Sequence, residues 1–387
     1  MTFLFPAGVG VLLADNNSRL DCGRKSLASA VGDAENGQTI VFTGVCHGPV
    51  VIHTDGITLK GAGSAVIDGG GHDAVTVAGA HGVSLVNIEI RNGVSGVTGS
   101  NGAHIALTRV NVHDNAVFGI TLQTASSAVL TDVMATNNGV HGLDIETGSA
   151  VTVTGTLMSA NNRVFGINVN GSSITFSHAT VDASRNALGI QIATNANAFL
   201  NDSATVINTV NNQATGLTVV SGGHLVSFGG TINSSGNPVD GVSVNSKGGL
   251  DLDAGSMLNS FGNGNGVVIQ EASVMTVFNI PQFSGVQGLS TVNSHNNAQA
   301  GVSVLTGSTL TLSNQAQIMS TANTGGGLLA DNGAGVTLVN STVTGNTPKD
   351  IQLAFGTRAD LRTTTFGSYS CDATVLVRGT SVITCPH

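Results

Sequence analysis

NGVHGLDIETGSAVTVTGTLMSANNRVFGINV, residues 138–169, contains one pattern twice: an asparagine, three further residues, then a glycine followed by alternating apolar residues. The glycine-led segment recurs along the chain at intervals of about 24 residues, which indicates a repeat architecture. Its copies begin at Gly96, Gly119, Gly142, Gly166, Gly189, Gly216, Gly241, Gly266, Gly301, Gly327 and Asp350.

Two further short apolar alternations fill each repeat, such as SAVTVTG and TLMSA after Gly142. Strands of about four residues are too short to bury an apolar face in isolated hairpins. Each strand must therefore lie beside the same strand of the next repeat, about 4.8 Å away. The sequence predicts an all-β chain, folded as a solenoid of three parallel sheets with about a dozen coils over residues 38–360.

A column of asparagines supports this period independently of hydrophobicity. Nine of the eleven copies carry an asparagine four residues before their start, and in the other two, Asn186 and Asn263 lie one residue later. Asparagine tolerates the left-handed backbone of a tight turn, and stacked amides can hydrogen-bond along the axis. We expect an asparagine ladder formed by Asn92, Asn115, Asn138, Asn162, Asn212, Asn237, Asn297, Asn323 and Asn346.

Both ends of a solenoid need covers. Residues 26–37 have apolar residues at helical spacing, with Ser26 as N-cap and Gly37 as the stop, so they predict a short capping helix. Residues 361–387 predict a hairpin-like C-terminal cap. The long coil from Gly266 to Gly301 contains an insertion, IPQFSGVQGLS, that we expect to protrude as a loop.

The composition excludes several classes of partner. The formal net charge is −9, with 13 Lys plus Arg against 22 Asp plus Glu, which gives no electrostatic basis for binding nucleic acid or an anionic membrane. No run of 18 apolar residues occurs, so no membrane span is expected.

The four cysteines form two pairs at opposite ends of the chain, Cys22 with Cys46 and Cys371 with Cys385. Paired cysteines at both ends favour disulfides and an oxidising compartment, whereas free or metal-binding thiols are the alternative. Residues 1–14 are apolar like the centre of a secretory signal but lack its basic start, so residues 1–25 hold either a signal remnant or a first strand. The predicted location is secreted, periplasmic or at the cell surface.

The opening SLASAVGDAENGQTIVFTGVC at 26–46, then GITLKGAGSAVIDGGG at 56–71, then glycine-led coils closed by asparagine turns, resemble the pectin-lyase-like superfamily. The resemblance covers residues 26–360 and implies a right-handed parallel β-helix. It does not imply one activity, because that superfamily includes polysaccharide lyases, glycoside hydrolases, epimerases, phage tailspikes and non-catalytic surface proteins.

One cluster of polar residues could carry chemistry on the first sheet of the repeat. Asp144 and Glu146 are the only acids in the two columns that the strand pleat directs outward, and residues two apart lie roughly 7 Å from each other. That separation suits an acid and base acting on a glycosidic bond. Arg163 and Arg185, in neighbouring turns, would bind or neutralise an acidic sugar. The predicted catalytic residues are thus Asp144, Glu146, Arg163 and Arg185, with Gln123, Asn168, Asn170 and Gln191 as substrate-binding amides.

A structural interpretation stands beside this one, since charges on a long exposed sheet serve solubility and discourage edge pairing. His141 is aligned with Phe118 and Phe165, which favours a stacking role between two rings. Asp251 and Asp253 form another same-face pair that could bind calcium, but two carboxylates fall short of a calcium cage. No other cofactor or metal is predicted.

Two functions remain open from the sequence. The first is a polysaccharide lyase, glycoside hydrolase or epimerase that acts on a polar or uronic-acid glycan along the first sheet. The second is a non-catalytic extracellular scaffold or adhesin. Val268 and Leu329, in the outward column of that sheet, would also favour self-association along the exposed face.

Overall fold

The computed structural model describes residues 19–279, 288–313, 316–381 and 383–386. The apolar segment at 1–14 and most of the insertion at 280–290 lie outside the described residues.

The described chain contains one helix, α1 (Leu27–Gly32), and short strands throughout. The strands are β1 (Leu20–Asp21), β2 (Thr39–His47), β3 (Val50–Ile52), β4 (Thr58–Asp68), β5 (Val75–Ala78), β6 (Val83–Val86), β7 (Glu89–Arg91), β8 (Val97–Ser100), β9 (His104–Thr108), β10 (Asn111–His113), β11 (Phe118–Leu122), β12 (Ser127–Thr136), β13 (His141–Glu146), β14 (Ala150–Met158), β15 (Phe165–Asn170), β16 (Ser173–Asp182), β17 (Leu188–Ala193), β18 (Asn197–Leu200), β19 (Val206–Val210), β20 (Leu217–Val219), β21 (His224–Phe228), β22 (Thr231–Ser235), β23 (Asp240–Val244), β24 (Gly249–Asp253), β25 (Met257–Phe261), β26 (Asn265–Ile269), β27 (Val274–Val277), β28 (Thr291–His295), β29 (Val302–Val304), β30 (Thr309–Leu312), β31 (Gln317–Thr321), β32 (Leu328–Ala330), β33 (Gly335–Val339), β34 (Thr342–Thr344), β35 (Ile351–Leu353), β36 (Arg358–Arg362), β37 (Thr365–Phe366), β38 (Tyr369–Cys371) and β39 (Leu376–Gly379).

One sheet is built from the glycine-led segments. It contains 14 strands, one from each coil, and we call it sheet 1. Its strands are β3, β5, β8, β11, β13, β15, β17, β20, β23, β26, β29, β32, β35 and β38. Every neighbouring pair is parallel and in register, as in Leu143 opposite Ile167 and Asp144 opposite Asn168. The predicted alignment of the repeat is therefore confirmed, and the chain makes about 14 coils.

The other 25 strands form two parallel ladders. Sheet 2 follows sheet 1 in each coil and includes β9, β12, β14, β18 and β21, whereas sheet 3 comes next and includes β10, β19, β22, β25 and β28. Long strands such as β14 run through both ladders, with a shift of register at the corner between Val153 and Gly155. This is the predicted arrangement of three parallel sheets.

The core is a set of apolar columns that run parallel to the axis. In sheet 1, Ile120, Leu143 and Ile167 stack on one another and are at most 2% exposed, as are the corresponding residues of the later coils up to Ile351 in β35. Buried parallel strands need such continuous apolar columns, and valine, isoleucine and leucine supply them.

The predicted asparagine ladder is present, with two differences. Asn186 and Asn263 join it, so it runs from Asn115 to Asn346; for example, Nδ2 of Asn138 donates to Oδ1 of Asn162 at 3.0 Å. Asn92 does not join it, because Gly93 occupies the ladder position and its N–H donates to Asn115.

The left-handed turn residue is also not the ladder asparagine itself. It is the residue before it, as at Asn137 (φ 57°), Asn161 (φ 58°) and Arg185 (φ 59°). The ladder side chain points inward from the next position, where it is almost fully buried.

The predicted N-terminal helix is present but shorter than expected. Ser26 caps it by accepting a hydrogen bond from the Ser29 N–H, and buried Leu27 and Val31 fix it to the start of the core. It ends at Gly32, short of the predicted stop at Gly37, because the Asp33 N–H closes the last turn on Ser29 and Val31.

The C-terminal segment differs from the predicted hairpin. β38 pairs in parallel with β35, and β39 with β36, so residues 369–379 continue the coil instead of folding back. Both predicted disulfides, Cys22–Cys46 and Cys371–Cys385, are present. Within the described ranges, no helix has the length and apolar character needed to cross a bilayer.

Candidate functional site

The column around Asp144 lies on the outer face of sheet 1, opposite the core residues Leu143 and Ile145. Oδ1 of Asp144 accepts a 2.8 Å hydrogen bond from Nδ2 of Asn168, and Asn168 in turn accepts one of 3.2 Å from Nε2 of Gln191. Thr121, on the other side, donates to Oδ2 of Asp144 at 3.4 Å. These side chains bond along the axis instead of extending into solvent.

At Asp144 and Asn168 this column is buried, although the sequence predicts that it faces solvent. Asp144 is 1% exposed and Asn168 5%. Val268, in the same column, is also buried, so it offers no apolar surface for the expected self-association, whereas Leu329 is partly exposed.

Burial raises the pKa of the Asp144 carboxyl to about 6. The hydrogen bond from Asn168 opposes this rise, the negative charge of Glu146 adds to it, and the hydroxyl of Thr121 opposes it again. At neutral pH the carboxyl is mostly ionised, but it takes up a proton within the mildly acidic range.

Glu146 is the more accessible acid of the pair. It is half-buried and forms no ion pair with any residue that the structure describes. Asn170, its register neighbour on the next coil, is equally accessible, and Gln123 on the preceding coil is exposed. The structure thus brings Glu146, Asn170 and Gln123 to one accessible edge of sheet 1.

His141 lies between two rings, as its alignment with phenylalanines predicts. Its ring centroid is 5.4 Å from that of Phe118 and 4.9 Å from that of Phe165, and Nδ1 accepts from the Phe165 N–H. Burial lowers the pKa of His141 to about 4. The imidazole is neutral at pH 7, and its stacking role is confirmed.

The two predicted arginines, Arg163 and Arg185, differ in their contacts. Arg185 turns away from Asp144: Nε donates to Oδ1 of Asn161 at 3.1 Å, and Nη2 lies 3.8 Å from Asp182 at the end of β16. Arg163 is exposed and has no ion pair among the described residues. Of these two arginines, Arg163 is the one whose side chain has no partner among the described residues and can bind an anionic ligand.

Arg163 lies at one end of a depression of about 670 Å³ that crosses several coils. Asn92, Asp114, Asn137 and Asn161 also line it, and all four are exposed residues at left-handed turn positions. The floor is formed by the backbone that leads into β11 and β13. We call this surface the turn depression.

An ion-pair network adjoins the middle of the turn depression, at Asp114. Oδ2 of Asp114 lies 2.7 Å from Nδ1 of His113, whose Nε2 lies 3.4 Å from Glu89. Arg91 contacts Glu89 at 2.8 Å. Neither this network nor the depression was predicted from the sequence.

A signal for the turn depression is present in the sequence. The doublets Asn137–Asn138 and Asn161–Asn162 each place one amide in the buried ladder and the preceding one outside. The outer amide could have been identified once the ladder position was known.

The second acidic pair, Asp251 and Asp253, has different surroundings at its two carboxylates. Asp251 lies 3.0 Å from Nε2 of His224, and Asp253 is buried. Nowhere in the described ranges are three or more His, Cys, Asp or Glu residues arranged as metal ligands.

Comparisons with known proteins agree with this architecture. Residues 51–224 match the family model "Right handed beta helix region". The structure of the Vag8–C1 inhibitor complex is similar over 94% of this chain and 99% of that chain, with 13% identity and a TM-score of 0.52. No curated protein sequence matches the chain significantly.

Weaker likenesses are found to two further solved structures. The mannuronan C-5 epimerase AlgE6 A-module of Azotobacter vinelandii has 16% identity and a TM-score of 0.43, covering 90% of this chain and 93% of that one. Pectate lyase Pel9A has 13% identity and a TM-score of 0.30, covering 90% and 72%. The stacked parallel sheets, the matched repeat region and the superposition on the Vag8 complex structure over 94% of this chain together establish that this protein is a right-handed parallel β-helix.

Proposed function

We propose that this β-helix is a polysaccharide-active protein that takes an extended polar or uronic-acid glycan beside sheet 1, at the coils of Asn115 to Asn162. The observation that carries the proposal is the turn depression with Arg163, which has no ion-pair partner in the part of the chain that the structure describes. An arginine held among amides suits a ligand that carries both hydroxyls and carboxylates.

The free hydrogen-bonding groups of the turn depression support a hydroxylated ligand. The side chain of Asn137 forms no hydrogen bond to the described residues, and Arg185 occupies only the Oδ1 atom of Asn161. Asn137 therefore presents a donor and an acceptor, and Asn161 presents its amide N–H groups. Arg185 acts here by orienting Asn161.

In this proposal the two acids have different tasks. Glu146 does not line the turn depression but lies at the far end of β13 from it, and it is the carboxylate that meets a glycan long enough to cross sheet 1, flanked by Gln123 and Asn170 as hydroxyl-binding amides. Asp144 is a positioning residue, because its buried carboxyl joins Thr121 to Asn168 along the axis and so fixes the strand that presents Glu146. Asn168 and Gln191 hold Asp144 in place.

The two disulfides support a location in an oxidising compartment, and we propose that the protein is secreted, periplasmic or held at the cell surface. In a compartment without reducing systems, a disulfide at each end of the rod would persist and stabilise that end.

Incubation with alginate, polygalacturonate, xylan and β-glucan tests the proposal. Unsaturated products would identify a lyase, new reducing ends a hydrolase, and a changed C5 configuration by proton NMR an epimerase. We expect Glu146→Gln to lower turnover about a hundredfold or more. Arg163→Gln should raise KM for a uronic-acid substrate but not for a neutral one.

Glu35→Gln and Arg378→Gln are matched controls, since both residues are exposed and far from the turn depression in the chain. They should leave the activity unchanged. If no substrate of the panel is bound or altered, the proposal is wrong.

A second candidate is a non-catalytic extracellular scaffold. It is favoured by the burial of Asp144 and by the hydrogen bonds that link its column along the axis. A scaffold would leave every polysaccharide unchanged, and Asp144→Asn would only stabilise it.

A further inference from the structure

A second ladder of amides runs along the outer face of sheet 3, far from the turn depression. Asn208, Asn233, Asn259 and Asn293 are register partners on successive strands. Each Nδ2 donates to the Oδ1 of the preceding coil, at 3.0, 2.8 and 2.8 Å. We call this set the outer ladder.

The outer ladder ends with an unused acceptor. The next register partner of Asn293 is Met319, which has no group to donate. Since Nδ2 of Asn293 points back to Asn259, its Oδ1 points toward Met319, and this buried oxygen has no hydrogen-bond partner among the residues described. An unpaired buried carbonyl is costly, so a donor that reached it would be held firmly.

A depression of about 360 Å³ lies at this end of the outer ladder. Its lining consists of Asn259, Phe261, Asn293, His295, Met319 and Thr321, and contains no acid, lysine or arginine. We call it the ladder-end site. It suits a ligand without net charge.

One wall of the ladder-end site is aromatic. The rings of Phe261 and His295 are parallel within 2°, with centroids 5.2 Å apart, and Phe261 is 38% exposed. Met319, 40% exposed, covers the end of the site with a flexible thioether that can move aside at little cost. The site thus offers an apolar wall, a movable cover and a single acceptor.

We propose that the ladder-end site binds a neutral pyranose unit of a glycan. The apolar C–H face of the sugar would pack on Phe261, and one hydroxyl would donate to Oδ1 of Asn293 after Met319 moves aside. This site lies six coils from Asn138, roughly 30 Å along the axis, and does not depend on the proposed function.

Titration with cellohexaose, xylohexaose, mannohexaose and maltohexaose tests the proposal, with the methyl resonance of 13C-labelled Met319 as a local probe. We expect at least one hexasaccharide to shift this resonance saturably at concentrations up to about 10 mM. Phe261→Ala should weaken binding about tenfold, whereas Phe228→Ala, a similarly exposed phenylalanine in sheet 2, should not.

Met319→Asn supplies the sharper test. It extends the outer ladder by one rung and occupies Oδ1 of Asn293, so we expect a folded protein with at least tenfold weaker binding, whereas Met319→Leu keeps the acceptor and should bind. Because both variants lack the Met319 methyl, their binding is measured by isothermal titration calorimetry, with the wild type as reference. The inference is overturned if no hexasaccharide shifts Met319, if Met319→Asn binds like the wild type, or if a phenylalanine-containing peptide saturates the site in place of the sugars. Thermal unfolding of each variant shows that it is folded.

Discussion

At the scale of single residues, the glycine that starts each coil packs closely against the ladder asparagine of the next turn. A Cβ atom on Gly142 would lie 2.0 Å from Oγ of Ser159 and 2.5 Å from Nδ2 of Asn162. Glycines of other coils meet their ladder asparagines in the same way, as Gly301 does Asn323. The glycine is therefore required by close approach, and the two sequence columns depend on each other.

Gly142→Ala should destabilise the protein by about 3 kcal/mol or more, because the added methyl group collides with buried polar atoms that cannot move without breaking the asparagine ladder. The free energy of unfolding in urea measures this. Gly32→Ala is the control, since no atom lies within 4 Å of a Cβ there, and it should be neutral or slightly stabilising. Equal losses in both variants would contradict the interpretation.

Asp144→Asn should increase stability at neutral pH. Burial raises the pKa of Asp144 to about 6 from an ordinary value of 3.8, so the folded state binds the proton more tightly than the unfolded state does. Wild-type stability should therefore fall as pH rises from about 4 to about 6, by up to about 2–3 kcal/mol. The variant keeps the hydrogen bond from Asn168 without the charge.

Urea unfolding of wild type and Asp144→Asn at intervals between pH 3.5 and 7.5 measures this effect. The difference in stability should be small below about pH 4 and largest above about pH 6. A difference that does not change with pH would show that ionisation of Asp144 does not couple to folding.

The depth of this column could not be predicted from the sequence. Strand alternation correctly directs Asp144 away from the core, but it does not determine whether neighbouring side chains cover it. That depends on Thr121 and Asn168, which come from the coils on either side and bond to it. Likewise, the choice of partner by Arg185 is set by Asn161 and Asp182, and not by its own position in the repeat.

At the scale of elements, the last turns of the asparagine ladder are closed by Asp350. Its Oδ1 accepts from the backbone and side chain of Asn346, and its Oδ2 accepts from Gly367 N–H and Ser368 N–H. Burial acts to raise the pKa of Asp350, but these hydrogen bonds outweigh it and hold the pKa below the ordinary value. The carboxylate thus takes the place of a further ladder asparagine after Asn346.

Asp350→Asn should cost about 1–3 kcal/mol at pH 7, because its amide N–H groups would oppose the donors of Gly367 and Ser368. Because folding lowers the pKa of Asp350, the ionised carboxylate stabilises the folded state at pH values above the ordinary pKa of 3.8. This stabilisation is lost as the pH falls through the pKa of the folded state. Wild-type stability should therefore decrease below about pH 4, and less so in the variant. Asp33→Asn, at an exposed position, is the control; a matching loss there would argue against a specific role for Asp350.

At the two ends of the rod, local sequence patterns predict the structure to different extents. The spacing around Ser26 correctly predicts a helix, because N-cap and buried positions are local features. The prediction of a C-terminal hairpin was wrong, because β38 and β39 add to the exposed edges of β35 and β36. Those edges are formed by the preceding coil, so the sequence of residues 361–387 alone does not indicate them.

At the scale of the whole molecule, the fold could be predicted because the same glycine-led apolar segment and turn asparagine recur about every 24 residues. The candidate site could not be predicted to the same extent, because it breaks the repeat. Arg163 and Asp114 occur once each in their columns, and their contacts depend on side chains from several coils.

Reduction of the two disulfides should loosen the ends of the rod and leave the middle unchanged. In a solenoid each coil contacts only its neighbours, so stability is nearly a sum of local terms. Cys22–Cys46 and Cys371–Cys385 close segments of 24 and 14 residues, and a loop of that size stabilises by about 3 kcal/mol in chain-entropy models. The sequence has no other cysteine, so a reductant acts at these two bonds alone.

Hydrogen exchange followed by mass spectrometry, with and without reductant, measures this coil by coil. Exchange should accelerate in β1 to β3 and in β35 to β39, whereas the central strands β17 and β20 should keep their protection. A uniform rise in exchange along the rod would instead mean that all the coils unfold as one cooperative unit. In that case the buried asparagine ladder, which links coil to coil from Asn115 to Asn346, would be the feature that couples them.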